Sequence, residues 1–156
     1  MRIPRLGPRG EGWVALQVLL MIGIVAGALL PPRWPDAIED ELAPLGLALA
    51  VVGGVIALWA GFVLGHALTP FSRPRGEGVI ERGPYRFVRH PMYAGGILFF
   101  VGISLLATVA SFVLALVLAF VWGLKAEVEE AALAEQFLEY ETYRQRVRYR
   151  FVPDVF

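Results

Sequence analysis

The chain contains no cysteine and is poor in histidine and in charge. Without cysteine, disulfide bonds, thiolate metal sites and a cysteine nucleophile are excluded. The two histidines, His66 and His90, are too far apart for a metal-ligand motif, so we expect no metal. The net charge is zero, which gives no sign of nucleic-acid binding. Glycine-rich dinucleotide loops, Walker loops and Ser-His-Asp patterns are also absent.

The chain is rich in hydrophobic residues. Hydrophobic residues make up 57% of it, above the roughly 45–50% of soluble domains. The sequence therefore predicts an all-α integral membrane protein, with residues 1–156 as a single membrane domain. Apolar runs at 13–30 and 45–68 are each near the ~20 residues that cross a hydrocarbon core. We interpret 13–30 as a retained first span, because two prolines follow it where a signal peptide would have a cleavage site.

The third apolar region, 94–124, has 31 uncharged residues, too many for one span and too few for two. We predict a tight helical hairpin whose arms only partly cross and whose turn is covered by protein. Residues 125–156 would then form a cytosolic helix and tail, with a polar helix at about 127–147. Small and polar residues near the middle of the hairpin region are Gly102, Ser104, Thr108 and Ser111.

The second apolar run carries a stripe of small residues at every fourth position. Such a stripe on one helix face lets another helix approach closely. We expect this face to pack against a neighbouring helix and to carry no chemistry. The stripe consists of Gly53, Ala57, Gly61 and Gly65.

The distribution of basic residues predicts the orientation in the membrane. The loop 31–44 has one arginine beside four acidic residues, whereas the other polar segments are rich in arginine. By the positive-inside rule, a multi-pass protein with both termini and segment 70–93 in the cytoplasm is expected. The basic residues concerned are Arg2, Arg5, Arg9, Arg73, Arg75, Arg82, Arg86, Arg89, Lys125, Arg144, Arg146, Arg148 and Arg150.

A cluster of Arg89, His90, Pro91 and Tyr93 stands at the mouth of the third apolar region. Proline suits the first turn of a helix, so His90 would lie at the cap beside free backbone N–H groups that favour an anionic ligand. Gly95, just behind, would permit close approach of the backbone. The alternative is a basic, aromatic interface anchor without a ligand.

A second polar cluster, Glu127, Glu129 and Glu130, follows the hairpin directly and should emerge at the same face as His90. A carboxylate there would accept hydrogen bonds from a ligand ammonium or ribose; the alternative is compensation of the helix dipole. The arginines of the tail would attract anionic lipid unless one of them faces the site.

In order and spacing, these elements resemble the isoprenylcysteine carboxyl methyltransferase family, whose wider group includes phospholipid N-methyltransferases. The resemblance covers roughly the C-terminal half: residues 83–95, the hairpin, the Glu129-Glu130 pair, and Tyr140-x-x-Tyr143-x-x-Arg146. It implies a membrane enzyme that uses S-adenosylmethionine in a pocket near the cytosolic face, closed over by the C-terminal segment. A lipophilic methyl acceptor would enter from the membrane lipids.

The resemblance also implies roles for particular residues. Two tail arginines, Arg146 and Arg150, would act on an acceptor carboxylate such as that of a prenylcysteine-like group. A carboxylate is already ionised, so its methylation would need no general base and would rest on alignment. The residues implied to bind the cofactor are Arg89, His90, Tyr93, Gly95, Glu129 and Glu130.

Two other functions remain open on the sequence. Membrane reductases similar to the sterol reductases bind NADPH near the corresponding face. A non-enzymatic membrane scaffold would use its basic rims to hold anionic lipid. The glutamate pair and the Arg-His-Pro-x-Tyr cluster favour the methyltransferase.

Overall fold

Five α-helices form the part of the chain that the structure describes. The computed structural model describes residues 4, 6–71 and 78–153. No strand occurs among these residues, so the all-α prediction is confirmed there. Arg2, Arg5, Arg73 and Arg75, used above to predict the orientation, lie outside the described residues. The helices are α1 (Glu11–Gly27), α2 (Asp36–Leu64), α3 (Pro91–Leu105), α4 (Val109–Gln136) and α5 (Tyr140–Arg146).

Two of these helices are long and apolar enough to cross a membrane: α2 with the 3₁₀ turn that follows it, and α4. Large apolar side chains on α2 point away from the protein, with Leu58 76% and Phe62 87% exposed. A surface of this kind suits contact with lipid. By contrast, α3 has 15 residues and rises about 22 Å, less than the roughly 30 Å of a hydrocarbon core. α1 is also short, with 17 residues.

The pair of full spans expected from the sequence, 13–30 and 45–68, is therefore partly wrong. The second long helix is α4, and α1 ends at Gly27, three residues before the apolar run does. α2 begins at Asp36 and runs through Pro44, which was expected to precede it. Acidic residues in its first turn complement the helix dipole. The backbone N–H groups of Ile38 and Glu39 both donate to the carbonyl of Pro35 and so start the helix early.

The predicted hairpin is present as α3, a turn at 106–108 and α4. Thr108 caps α4 by accepting from the backbone N–H of Ser111 at 3.2 Å, and it donates to the carbonyl of Gly27 at 2.9 Å. The Ser111 hydroxyl donates to the carbonyl of Ile24 at 2.8 Å. Because the end of α1 supplies these acceptors, both side chains are buried, so protein covers the polar part of the turn as predicted, whereas Leu106 is 45% exposed.

The prediction of a separate polar helix at 127–147 is wrong. α4 continues without interruption to Gln136, and the short α5 begins only at Tyr140. No proline separates Leu124 from Gln136, and the residues between them favour a helix, so nothing local ends α4 at the last apolar residue. The break comes at Phe137, whose extended backbone ends the helix. Its side chain turns into the cavity described below.

Two pairs of glycines bring α2 and α3 into backbone contact. A Cβ built on Gly53 would lie 2.5 Å from the carbonyl oxygen of Gly95, and one on Gly95 would lie 2.7 Å from that of Gly53. A Cβ on Gly46 would lie 2.8 Å from the carbonyl oxygen of Gly102, and one on Gly102 would lie 2.6 Å from that of Gly46. Only part of the expected stripe is used, because a Cβ on Gly65 would meet nothing within 4 Å.

This contact can be tested with alanine substitutions. Gly53→Ala should destabilise the protein by about 1–3 kcal/mol, because the methyl group meets the backbone of α3 and neither helix can yield locally. Gly54→Ala is the matched control, since its Cβ would make ordinary contact at 3.6 Å with the ring of Phe99. Thermal unfolding in detergent measures both. A melting temperature for Gly53→Ala equal to that of Gly54→Ala would contradict close packing at Gly53.

Candidate functional site

A cavity lies where the end of α2, the start of α3, the end of α4 and α5 meet. It has about 860 Å³ of atom-free space, part of it open to the surroundings. One part of its wall is apolar and includes Leu64, Phe71, Met92, Leu133 and Phe137. The polar part consists mainly of Arg89, His90, Glu129 and four tyrosines, Tyr85, Tyr93, Tyr140 and Tyr143.

The start of α3 places His90 and Tyr93 in this wall. The helix begins at Pro91 with His90 before it, as predicted. The His90 and Tyr93 rings stack nearly parallel, with centroids 5.6 Å apart, and Tyr93 stacks in turn on Trp122 at 5.3 Å. Such a column fixes the orientation of each ring. Lys125 adds a cation 5.4 Å from the centroid of the Tyr93 ring.

The buried carboxylate of Glu130 is the centre of an ion cluster. Its Oε1 accepts from Arg89 Nε at 2.9 Å and from His90 Nε2 at 3.2 Å. Arg150 donates to both carboxylate oxygens, each at 3.2 Å, and also to Glu127 at 3.0 Å. Burial lowers the pKa of Arg150, but Glu130 and Glu127 outweigh that effect and raise it. Glu130 is thus engaged by residues of the chain itself, and it is not part of the cavity wall.

Glu129 is the glutamate that lines the cavity. Its Oε1 accepts from the hydroxyl of Tyr93 at 2.6 Å, and its Oε2 lies 3.8 Å from His90 Nδ1. The remaining capacity of this carboxylate is available to a ligand in the cavity. Among the residues that the structure describes, no group of three or more histidine, aspartate and glutamate side chains is placed to hold a metal ion.

The C-terminal tail lies against the start of α3. The backbone N–H of Arg89 donates to the carbonyl of Tyr149 at 2.9 Å, and that of His90 donates to Arg150 at 2.8 Å. The Arg89 side chain also donates to the carbonyls of Val147 and Arg148. The tail therefore occupies the N–H groups of Arg89 and His90, and the anion site expected at the free N–H groups of the first turn of α3 stays a prediction.

Two of the expected site residues lie elsewhere. Arg146 is 61% exposed and donates to both oxygens of Glu81, at 2.8 and 2.6 Å. It is not part of the cavity wall, and neither is Arg150. Gly95 faces α2 in the glycine contact described above. The structure thus brings Arg89, His90, Tyr93, Glu129, Glu130 and Arg150 together, and leaves Arg146 and Gly95 apart from them.

No role in the site was predicted from the sequence for the tyrosines of α5. Tyr140 and Tyr143 are three residues apart, which puts both on one helix face, and burial raises the pKa of each. The Tyr143 hydroxyl donates to the carbonyl of Tyr85 at 2.8 Å. The Tyr140 hydroxyl is buried and has no hydrogen-bond partner within residues 4, 6–71 and 78–153.

Lys125 was read from the sequence only as an orientation signal. It is buried, and it donates to Gln17 at 2.8 Å and to the carbonyl of Pro70 at 2.7 Å. Its ammonium also lies 3.7 Å from Glu129, one helical turn further along α4. A lone lysine at the end of an apolar run, four residues before a glutamate, was the available signal.

Comparison with known proteins adds to this geometry. Residues 43–139, more than half of the chain, match the family model described as phospholipid methyltransferase. The cobalt-zinc-cadmium resistance protein CzcN of Cupriavidus metallidurans is 28% identical over 115 residues, covering 72% of this chain and 49% of that protein. The chain thus spans about half the length of the curated relative it matches. The match covers most of α2 and all of α3 and α4, so this membrane protein belongs to the phospholipid methyltransferase family.

Proposed function

We propose that the protein is a membrane-embedded methyltransferase that uses S-adenosylmethionine to methylate a lipophilic acceptor, a carboxylate such as that of a prenylcysteine-like group. The observation that carries this proposal is the two-sided cavity within the family match. Its wall joins apolar side chains from α2 and α4 to the carboxylate of Glu129. Such a wall suits a polar donor molecule and an apolar acceptor that meet in one place.

The residues of the cavity fit the proposed cofactor. The cavity joins an apolar wall to a small number of polar side chains, which is the usual composition of a small-molecule site. Glu129 would offer a carboxylate to an ammonium or to ribose hydroxyls, and the side chains of His90 and Tyr93 lie beside it in the cavity wall. Arg89 adds a positive charge to the wall. When bound, S-adenosylmethionine supplies an electrophilic methyl group.

The residues of the chain would align the methyl donor with the acceptor and exclude water from the cavity. In-line transfer to an ionised carboxylate needs no base, and positioning supplies about 7–11 kcal/mol in favourable cases. We propose Arg146 and Arg150 as the groups that orient the acceptor carboxylate, because an arginine fork suits a carboxylate. In the structure Glu81 holds Arg146, and Glu127 and Glu130 hold Arg150. An acceptor carboxylate would therefore exchange for one of these glutamates.

Both termini and segment 70–93 are proposed to face the cytoplasm, and labelling can test this. The chain has no native cysteine, so Asp36→Cys and Arg82→Cys each introduce a single thiol, at exposed positions. A membrane-impermeant maleimide applied to oriented vesicles should label the two variants from opposite sides. Labelling of both variants from the same side would rule out the proposed orientation.

Ligand binding separates the three candidate functions. In nanodiscs, S-adenosylhomocysteine should raise the melting temperature by mass action, whereas NADPH should not. Glu129→Gln should weaken S-adenosylhomocysteine binding roughly tenfold, since a charged acceptor is lost. Stabilisation by NADPH alone would favour the reductase, and stabilisation by anionic lipid alone would favour the scaffold.

The acceptor can be tested with a chain-length series. If the apolar part of the wall receives the acceptor tail, each CH₂ should add about 0.8 kcal/mol of affinity until the groove is filled. Shortening a prenylated acceptor should therefore raise KM steeply in an assay with labelled S-adenosylmethionine. Equally efficient methylation of a small water-soluble acid would argue against entry from the lipid.

A further inference from the structure

Tyr140 carries an unused hydrogen-bond donor in the cavity wall. Its side chain is 1% exposed and lines the cavity, and its hydroxyl has no hydrogen-bond partner in the described parts of the chain. Buried polar groups are nearly always paired, because an unpaired one loses its hydration without compensation. Because Tyr140 lines the cavity and its hydroxyl lacks a partner in the described parts of the chain, a partner supplied by the ligand is indicated.

The neighbouring tyrosines differ in this respect. Tyr143 lies on the same helix and lines the same cavity, but its hydroxyl donates to the carbonyl of Tyr85 at 2.8 Å. The hydroxyl of Tyr93 donates to Glu129 at 2.6 Å. These two hydroxyls therefore have structural partners, and the hydroxyl of Tyr140 is left for another role.

We infer that the Tyr140 hydroxyl binds a carboxylate of the ligand in this cavity, an assignment that rests on the proposed function. Two sources fit: the amino-acid end of the cofactor and the carboxylate of the methyl acceptor. The guanidinium of Arg89 lies in the same wall and favours an anion there. Glu130 forms an ion pair with Arg89 and is not part of the cavity wall.

The chemical state of Tyr140 agrees with a donor role. Burial raises the pKa of this phenol above its ordinary value, so the proton stays on the oxygen at neutral pH. A protonated phenol donates its strongest hydrogen bond to a charged acceptor. Glu129 serves the complementary purpose in the same wall, because it accepts hydrogen bonds. The two residues together suit a zwitterionic group such as an amino-acid end.

The test compares two ligands that differ by the amino-acid end, which carries the carboxylate. Calorimetry in nanodiscs measures the binding of S-adenosylhomocysteine and of 5′-methylthioadenosine, which shares the nucleoside and thioether but lacks the amino-acid end. Tyr140→Phe should weaken S-adenosylhomocysteine roughly tenfold or more and leave 5′-methylthioadenosine unchanged. Its melting temperature without ligand should not fall, because no hydrogen bond within the described protein is lost.

Tyr143→Phe is the matched control, since it removes a hydroxyl that already has a partner. It should lower the melting temperature and should not change the affinity ratio of the two ligands. If Tyr140→Phe leaves S-adenosylhomocysteine unaffected but raises KM for a prenylated carboxylate acceptor at least tenfold, the carboxylate belongs to the acceptor. Unchanged values in both assays, or equal weakening of both nucleosides, would overturn the inference.

Failure of this inference is distinguishable from failure of the proposed function. If the wild-type protein binds S-adenosylhomocysteine and the Tyr140→Phe variant gives the same values in both assays, only the assignment of Tyr140 is wrong. If the wild-type protein binds neither nucleoside and methylates no acceptor, the proposed function is wrong, and the assignment of Tyr140 is wrong as well.

Discussion

The arrangement of the site depends on the buried carboxylate of Glu130. This one group joins Arg89 and His90 at the start of α3 to Arg150 in the tail. A buried carboxylate is tolerated only when its charge is compensated, and removal of one partner leaves the others uncompensated. The same three residues also share backbone hydrogen bonds between the tail and the start of α3. The position of the tail against α3 and the position of His90 therefore both depend on this cluster.

The cluster can form because the apolar helices bring its members to one end of the protein. Glycine pairs hold α2 and α3 at backbone distance, and the turn of the hairpin is tied to the end of α1 through Thr108 and Ser111. At the other end, the ammonium of Lys125 links α4 to Gln17 of α1 and to the carbonyl of Pro70. Apolar packing sets the helix positions, and buried polar contacts fix both ends.

The two neighbouring glutamates have different roles in this arrangement. Glu130 is engaged by Arg89 and Arg150 and lies outside the cavity wall, whereas Glu129 contacts the Tyr93 hydroxyl and Lys125 and lines the cavity. The cofactor-binding role that we first expected of both is therefore proposed for Glu129, with Glu130 as the support that fixes the wall. The apolar residues opposite lie on helices whose outer faces suit lipid, which is consistent with an acceptor that arrives from the membrane.

Local sequence patterns were enough to predict the apolar all-α class, the hairpin and the start of α3 at Pro91. These features follow from local physics: long uncharged runs, a proline that favours the first helical turn, and polar residues that mark a turn. The sequence also singled out Arg89, His90, Tyr93 and the glutamate pair, because charges beside lipid are costly without a purpose. Each of these signals lies within a short stretch of chain.

Which glutamate lines the cavity and which arginine joins the cluster depend on packing between segments that are distant in sequence. Successive residues of a helix point about 100° apart, so the roles of Glu129 and Glu130 depend on how α4 is rotated by its packing. Arg150 reaches Glu130 because the tail pairs with α3, while α5 directs Arg146 to Glu81. The length of α4 and the burial of Lys125 likewise depend on contacts between segments distant in sequence, which no local pattern specifies.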